Sequence, residues 1–99
     1  MPIYKTAHFR VHPEALEKCV RAIQEFTEYV HKNEPGTRVY TSLQEEGNPA
    51  SFMHYIIFEN EEAHAIHGSS QGVKRFQEAL YPELIEPVKF TSYTLAATR

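Results

Sequence analysis

Six histidines in a chain of 99 residues are a dense supply of the side chain that best moves protons near neutral pH. A free imidazole titrates at about 6.5 and needs little adjustment to act as a base. His64 and His67 are three residues apart, so on a helix both turn to one side. That spacing would also suit two metal ligands, but spacing supplies no third histidine, cysteine or carboxylate. No metal site is therefore expected. His54 lies among Phe52, Ile56 and Phe58 and has two readings, a satisfied core group or a base tuned by burial. Tyr40 and Tyr55 are either half-buried sheet residues or phenols that meet a substrate. His8, His12 and His31 read as surface or strand-edge groups without a role. The single cysteine, Cys19, cannot close an intrachain disulfide, which points to a reducing compartment.

The elements that must carry these residues are legible from periodicity. Tyr4 to Val11 alternates Ala7, Phe9 and Val11 against Thr6, His8 and Arg10, a strand. Pro13 suits a first helical turn. Leu16, Val20, Ile23, Phe26 and Val30 then form one apolar stripe on a long amphipathic helix, and Cys19 falls on that stripe as a small buried hydrophobe. Glu14–Lys18, Glu17–Arg21 and Glu28–Lys32 are i,i+4 pairs on its wet side. Pro35 disfavours a helical Glu34, and Gly36 can take a positive φ, so the helix stops there.

Arg38 to Glu45 alternates Val39, Thr41 and Leu43 against Arg38, Tyr40 and Ser42, a second strand. Glu46–Pro49 is a turn. Ser51 to Glu59 is a third strand, with Phe52, Ile56 and Phe58 on one face and Met53, Tyr55 and Ile57 on the other. A strand apolar on both faces is buried on both. Asn60 caps a short helix carrying Ala63, Ile66 and His67, which Gly68-Ser69-Ser70 breaks. Val73, Phe76 and Leu80 restart a helical stripe, and Phe26 and Phe76 are core residues first and cavity walls second. Val88 to Ala97 is a fourth strand.

The order β-α-β-β-α-β makes one α+β domain spanning residues 1–99, a ferredoxin-like split β-α-β fold. It predicts a four-stranded antiparallel sheet with the helices on one face and the other face open. The third strand wants cover on that open face, and a second copy of the chain is the simplest cover. Two sheets meeting face to face would make a dimeric α+β barrel, so a homodimer is expected. The formal net charge of -3, without a basic run, speaks against nucleic acid. No apolar signal core and no stretch of about 20 apolar residues is present, so no membrane partner and a cytoplasmic location are expected.

Several stretches, taken together in order and spacing, resemble the antibiotic biosynthesis monooxygenase family over nearly the whole chain. They are Glu34-Pro35-Gly36-Thr37, Tyr40 with Leu43, and the run from Glu61 through His67 to Ser70. Val73-Lys74-Arg75-Phe76 and Tyr81-Pro82 complete the set. The resemblance implies a dimeric α+β barrel with a cavity between sheet and helices, faced by the position of His67. It also implies oxygenation of a small quinol, phenol or similar electron-rich aromatic by dioxygen without metal, flavin or other cofactor. Such an enzyme needs an apolar cavity, a base and hydrogen bonds to a developing oxyanion. His67 and His54 are the candidate catalytic residues, and Tyr40, Tyr55, Phe26, Phe76 and Ala7 the candidate substrate contacts.

The departures from the family pattern narrow the activity. Haem-degrading relatives carry Asn where this chain has Ala7, Trp where it has His67 and a haem-ligating His where it has Gln77. This chain contains no tryptophan, so haem degradation is not expected. Many other relatives carry Glu where this chain has Ile56. That loss leaves open a non-catalytic member of the fold, a dimeric module that binds a small ligand or assists a stress response. Isomerase or decarboxylase chemistry in the same cavity is a third reading, since one base in an apolar pocket serves proton transfer equally well.

Overall fold

The computed structural model describes residues 1–99. Strand β1 (Ile3–Arg10) leads through a 3-10 turn at Pro13–Ala15 into helix α1 (Leu16–Asn33). Strands β2 (Thr37–Glu45) and β3 (Asn48–Phe58) form a hairpin, turned at Gly47 with φ 82°. Helices α2 (Glu61–Gly68) and α3 (Gln71–Leu80) follow, then a 3-10 turn at Tyr81–Glu83 and strand β4 (Lys89–Tyr93). The sheet is antiparallel in the order β2-β3-β1-β4, the expected ferredoxin-like arrangement. No helix is long and apolar enough to cross a membrane.

Register decides which residues share a face. Ala7 opposes His54 and Phe9 opposes Phe52, so β1 and β3 bring these side chains together beneath the helices. Phe9, Phe52, Val11, Cys19, Ile23 and Leu80 form the main core, with Cys19 fully buried between sheet and α1. Burial also pushes the Cys19 thiol upward, away from the reactive thiolate form.

Asn60 and Ser70 cap α2 and α3, each accepting a hydrogen bond from the backbone N–H three residues on. Ser69 closes the second helix and Ser70 starts a third.

Four local expectations are corrected. The fourth strand ends at Tyr93, well short of Ala97: its pairing with β1 stops at Tyr4, and Pro2, just ahead of β1, has no N–H with which to extend the ladder. Gly36 does not adopt a positive φ. A Cβ there would stand 2.6 Å from the Ala63 Cβ, so glycine is required for the close approach of α2. Lys18 pairs with Glu83 at 2.8 Å instead of with Glu14, which the 3-10 turn carries off the α-helical spacing. Ile66 faces outward and is half exposed.

The two faces of β3 differ in exposure. Phe52, His54, Ile56 and Phe58 are buried, whereas Tyr55 is 38% exposed beside an exposed Leu43. Val39, Met53 and Ile57 extend that apolar surface across the open side of the sheet.

Candidate functional site

A cavity of about 210 Å³ opens between the sheet and the helices. An apolar hole of roughly 150 Å³ already admits benzene, so this one accepts a single substituted ring. Phe26 from α1 stacks on Phe76 from α3 with centroids 4.6 Å apart, forming one wall. Phe9, Ile56 and Phe58 supply the sheet side, and Ala7 leaves room above the floor. Ile56 places an apolar side chain in the wall.

Tyr40, Phe26, Phe76, Ala7, His54 and His67 all line this cavity, gathered from three helices and three strands. Tyr55 does not. It pairs with Thr6 and Thr41, one residue out of phase with His54, and so emerges on the open face of the sheet. The expectation that Tyr55 contacts a substrate in this cavity is corrected by that placement.

His67 sits in the last turn of α2, and its Nδ1 lies 2.8 Å from Glu34 Oε1. Glu34 follows the last residue of α1. The proline after it disfavours helix, its backbone is turned away, and its carboxylate swings beneath α2, with the side chain 3% exposed. Thr37 Oγ1 donates to the same oxygen at 2.8 Å, while Oε2 has no partner. A carboxylate only accepts, so His67 donates from Nδ1 and a neutral ring holds its lone pair on Nε2. That nitrogen has no protein hydrogen bond, and the ring is among the cavity's lining groups.

His54, on β3, is arranged the opposite way. Its Nδ1 is 2.8 Å from the Tyr40 hydroxyl, and its Nε2 is buried without a partner. Desolvation lowers its pKa to about 4, which keeps the ring neutral at ordinary pH. Burial, reinforced by the Glu34 charge, pushes the Tyr40 phenol well above its usual range, so Tyr40 keeps its proton. The hydroxyl has no other partner, so its proton is satisfied only by donating to Nδ1, and in that arrangement the neutral imidazole carries its own proton on Nε2. Leaving such a buried N–H unpaired costs about 1–3 kcal/mol, which a ligand oxygen would recover.

His64 also lines the cavity, but its Nε2 accepts from the Lys5 ammonium at 3.3 Å. Desolvation, followed by the Lys5 charge, lowers its pKa. No three histidine, cysteine or carboxylate side chains converge in a metal-ligating group. His64 and His67 therefore share a helix face without sharing a partner.

In the sequence Glu34 reads as a helix stop and as part of the Glu34–Thr37 stretch, without a role at the site, and Lys5 has none either. Glu34 is 33 residues from His67, and nothing local connects them. Lys5 was within reach, because continuing the Ala7–Phe9 alternation two residues back places it on the inward face.

The site is thus an apolar cavity lined by two differently partnered imidazoles on a ferredoxin-like α+β scaffold. The sequence pattern of antibiotic biosynthesis monooxygenases matches residues 2–79, and the chain belongs to that family. Solved structures share its fold at low identity. A Bacteroides thetaiotaomicron protein provisionally named an antibiotic biosynthesis monooxygenase is 20% identical with a TM-score of 0.91. Their similarity covers 97% of this chain and 90% of that one. A Nitrosomonas europaea protein with the same provisional name is 19% identical with a TM-score of 0.89, over 96% and 90% of the two chains. A conserved protein from Methanosarcina mazei is 22% identical with a TM-score of 0.85, over 94% and 91%. No curated protein matches the chain.

Proposed function

We propose that the chain is a cofactor-independent monooxygenase that oxidises a small quinol, phenol or similar electron-rich aromatic with dioxygen. The observation that carries this reading is the pair of oppositely arranged imidazoles in one apolar cavity. His67, held by Glu34, offers a lone pair, while His54, held by Tyr40, offers an N–H. The first is a general base and the second an oxyanion donor. In this reading Tyr40, Phe26, Phe76 and Ala7 contact the ring.

The chemistry balances on substrate and dioxygen alone. His67 Nε2 takes the phenolic proton, and His54 Nε2–H holds the oxygen anion. The anion gives one electron to dioxygen, and the aryloxyl radical and superoxide combine, forming a C–O bond at a ring carbon. His67 returns its proton to the peroxide. The ring C–H proton is then lost to His67 as the O–O bond breaks, leaving a carbonyl and hydroxide. Hydroxide takes the proton from His67 and leaves as water. One oxygen atom enters the ring, the other becomes water, and the substrate supplies all four electrons.

The apolar stripe of Val39, Leu43, Met53, Tyr55 and Ile57 supports a homodimer closed through the open sheet face. Ile56 favours one alternative, a ligand-binding member of the fold that lacks turnover. Oxygen uptake on a panel of hydroquinones, with chelator present and no cofactor added, decides between them. Turnover that falls in His67→Gln supports the enzyme. Ring binding without uptake on any substrate refutes it and leaves the binding module.

A further inference from the structure

Lys5 is the one formally charged side chain in the cavity lining, and it stands on the inward face of a central strand. The residue is partly buried, and an ammonium in that position gains from a charge-assisted hydrogen bond to an anion. No carboxylate lies within ion-pair distance of Lys5. Its ammonium meets the His64 imidazole at 3.3 Å and lies 5.5 Å from the centroid of the Phe90 ring. Glu61 is on the far side of His64, 4.0 Å from Nδ1, and is solvent-exposed. His64 accepts one of the three ammonium N–H donors and leaves two. The Phe90 face adds an attraction without satisfying either.

From these observations we infer that Lys5 is a specificity-determining residue that binds a carboxylate carried by the aromatic substrate. This rests on reading the cavity as an aromatic-binding site, and it adds what that ring must bear. One uncompensated positive charge matches one carboxylate, whereas a phosphate dianion would call for more donors than the site offers. The geometry fits a single ring. Lys5 opposes Ile56 on β3, so His54 is its diagonal neighbour across the strand pair, about 7–8 Å away in the backbone. A ring whose phenolic oxygen meets His54 Nε2–H can therefore present a carboxylate to Lys5. His64 acts through Lys5, holding the ammonium at the cavity.

The test separates binding from turnover. Benzoate and benzamide have nearly the same shape, neither is readily oxidised, and only benzoate is charged. Isothermal titration of the full chain with each probe should show benzoate bound at least about tenfold more tightly. Lys5→Met should erase that preference while leaving benzamide affinity within about twofold, and Lys5→Arg should retain it. Circular dichroism on both variants checks that the fold persists. Equal affinities, a preference that survives Lys5→Met, or no binding of either probe overturns the assignment. The oxygenase reading fails separately, through absent oxygen uptake. Equal turnover of hydroquinone and 2,5-dihydroxybenzoate would keep the oxygenase and remove the carboxylate.

Discussion

Lowering the pH from 7 toward 4 should destabilise this protein through His54. The folded chain holds this imidazole at a pKa of about 4 through desolvation, against about 6.5 for an ordinary histidine. Between those values the unfolded chain binds a proton at His54 and the folded chain does not. The stabilisation is complete above the unfolded pKa and is lost as pH falls through the interval to the folded one. At roughly 1.36 kcal/mol per pH unit, the full interval is worth about 3 kcal/mol. About 2 kcal/mol or more of it falls between pH 7 and 4.5. At roughly 4–8 °C per kcal/mol for a domain of this size, the thermal midpoint should drop by about 10–20 °C. The lowered pKa of His64 adds in the same direction. The comparison that isolates His54 is His54→Gln, which keeps an acceptor for the Tyr40 hydroxyl but does not titrate. Urea unfolding followed by circular dichroism at steps from pH 7 to 4.5 gives both stability curves. A wild-type curve parallel to that of His54→Gln within about 0.5 kcal/mol would refute the reasoning. The donor role of His54 would fall with it, because a ring protonated near pH 6 is not a fixed neutral N–H.

Other outcomes follow from the same geometry. His67→Gln should lower turnover by about 10²- to 10⁴-fold, the usual cost of a lost general base, as read by oxygen uptake. His67→Ala should in addition cost about 1–3 kcal/mol in urea unfolding, because it strips the buried Glu34 carboxylate of a partner. Gly36→Ala should lose about 1–3 kcal/mol by forcing a methyl against Ala63, whereas Gly68→Ala meets nothing within 4 Å and should gain about 0.5–1 kcal/mol. Paired thermal melts check both signs. Light scattering at micromolar concentration should give twice the chain mass of 11.5 kDa, and Tyr55→Glu on the open sheet face should bring it down to one.

The periodicities carried most of the fold. The alternation of Ala7, Phe9 and Val11 and the stripe through Leu16 and Val30 specify which faces turn inward, because pleat and helix pitch are local properties. The order of elements then leaves few topologies open. End points depended on partners instead: β4 stops opposite Tyr4, two residues after a proline that has no N–H to give.

The cavity was legible as a composition of residues but not as a machine. His54, His67, Tyr40, Phe26, Phe76 and Ala7 were all identifiable from pattern or resemblance, and they do line one space. The direction of each imidazole was not, because a tautomer is set by whatever touches the other ring nitrogen. For His67 that group is Glu34, delivered from the end of another helix, and for His54 it is Tyr40 across the β2–β3 pair. Tyr55 was misplaced for the complementary reason. Its residue type is right for the cavity, but strand register turns it to the other face. Residue types and their period are properties of the chain, and the tertiary structure alone decided which donor meets which acceptor across 33 residues of sequence.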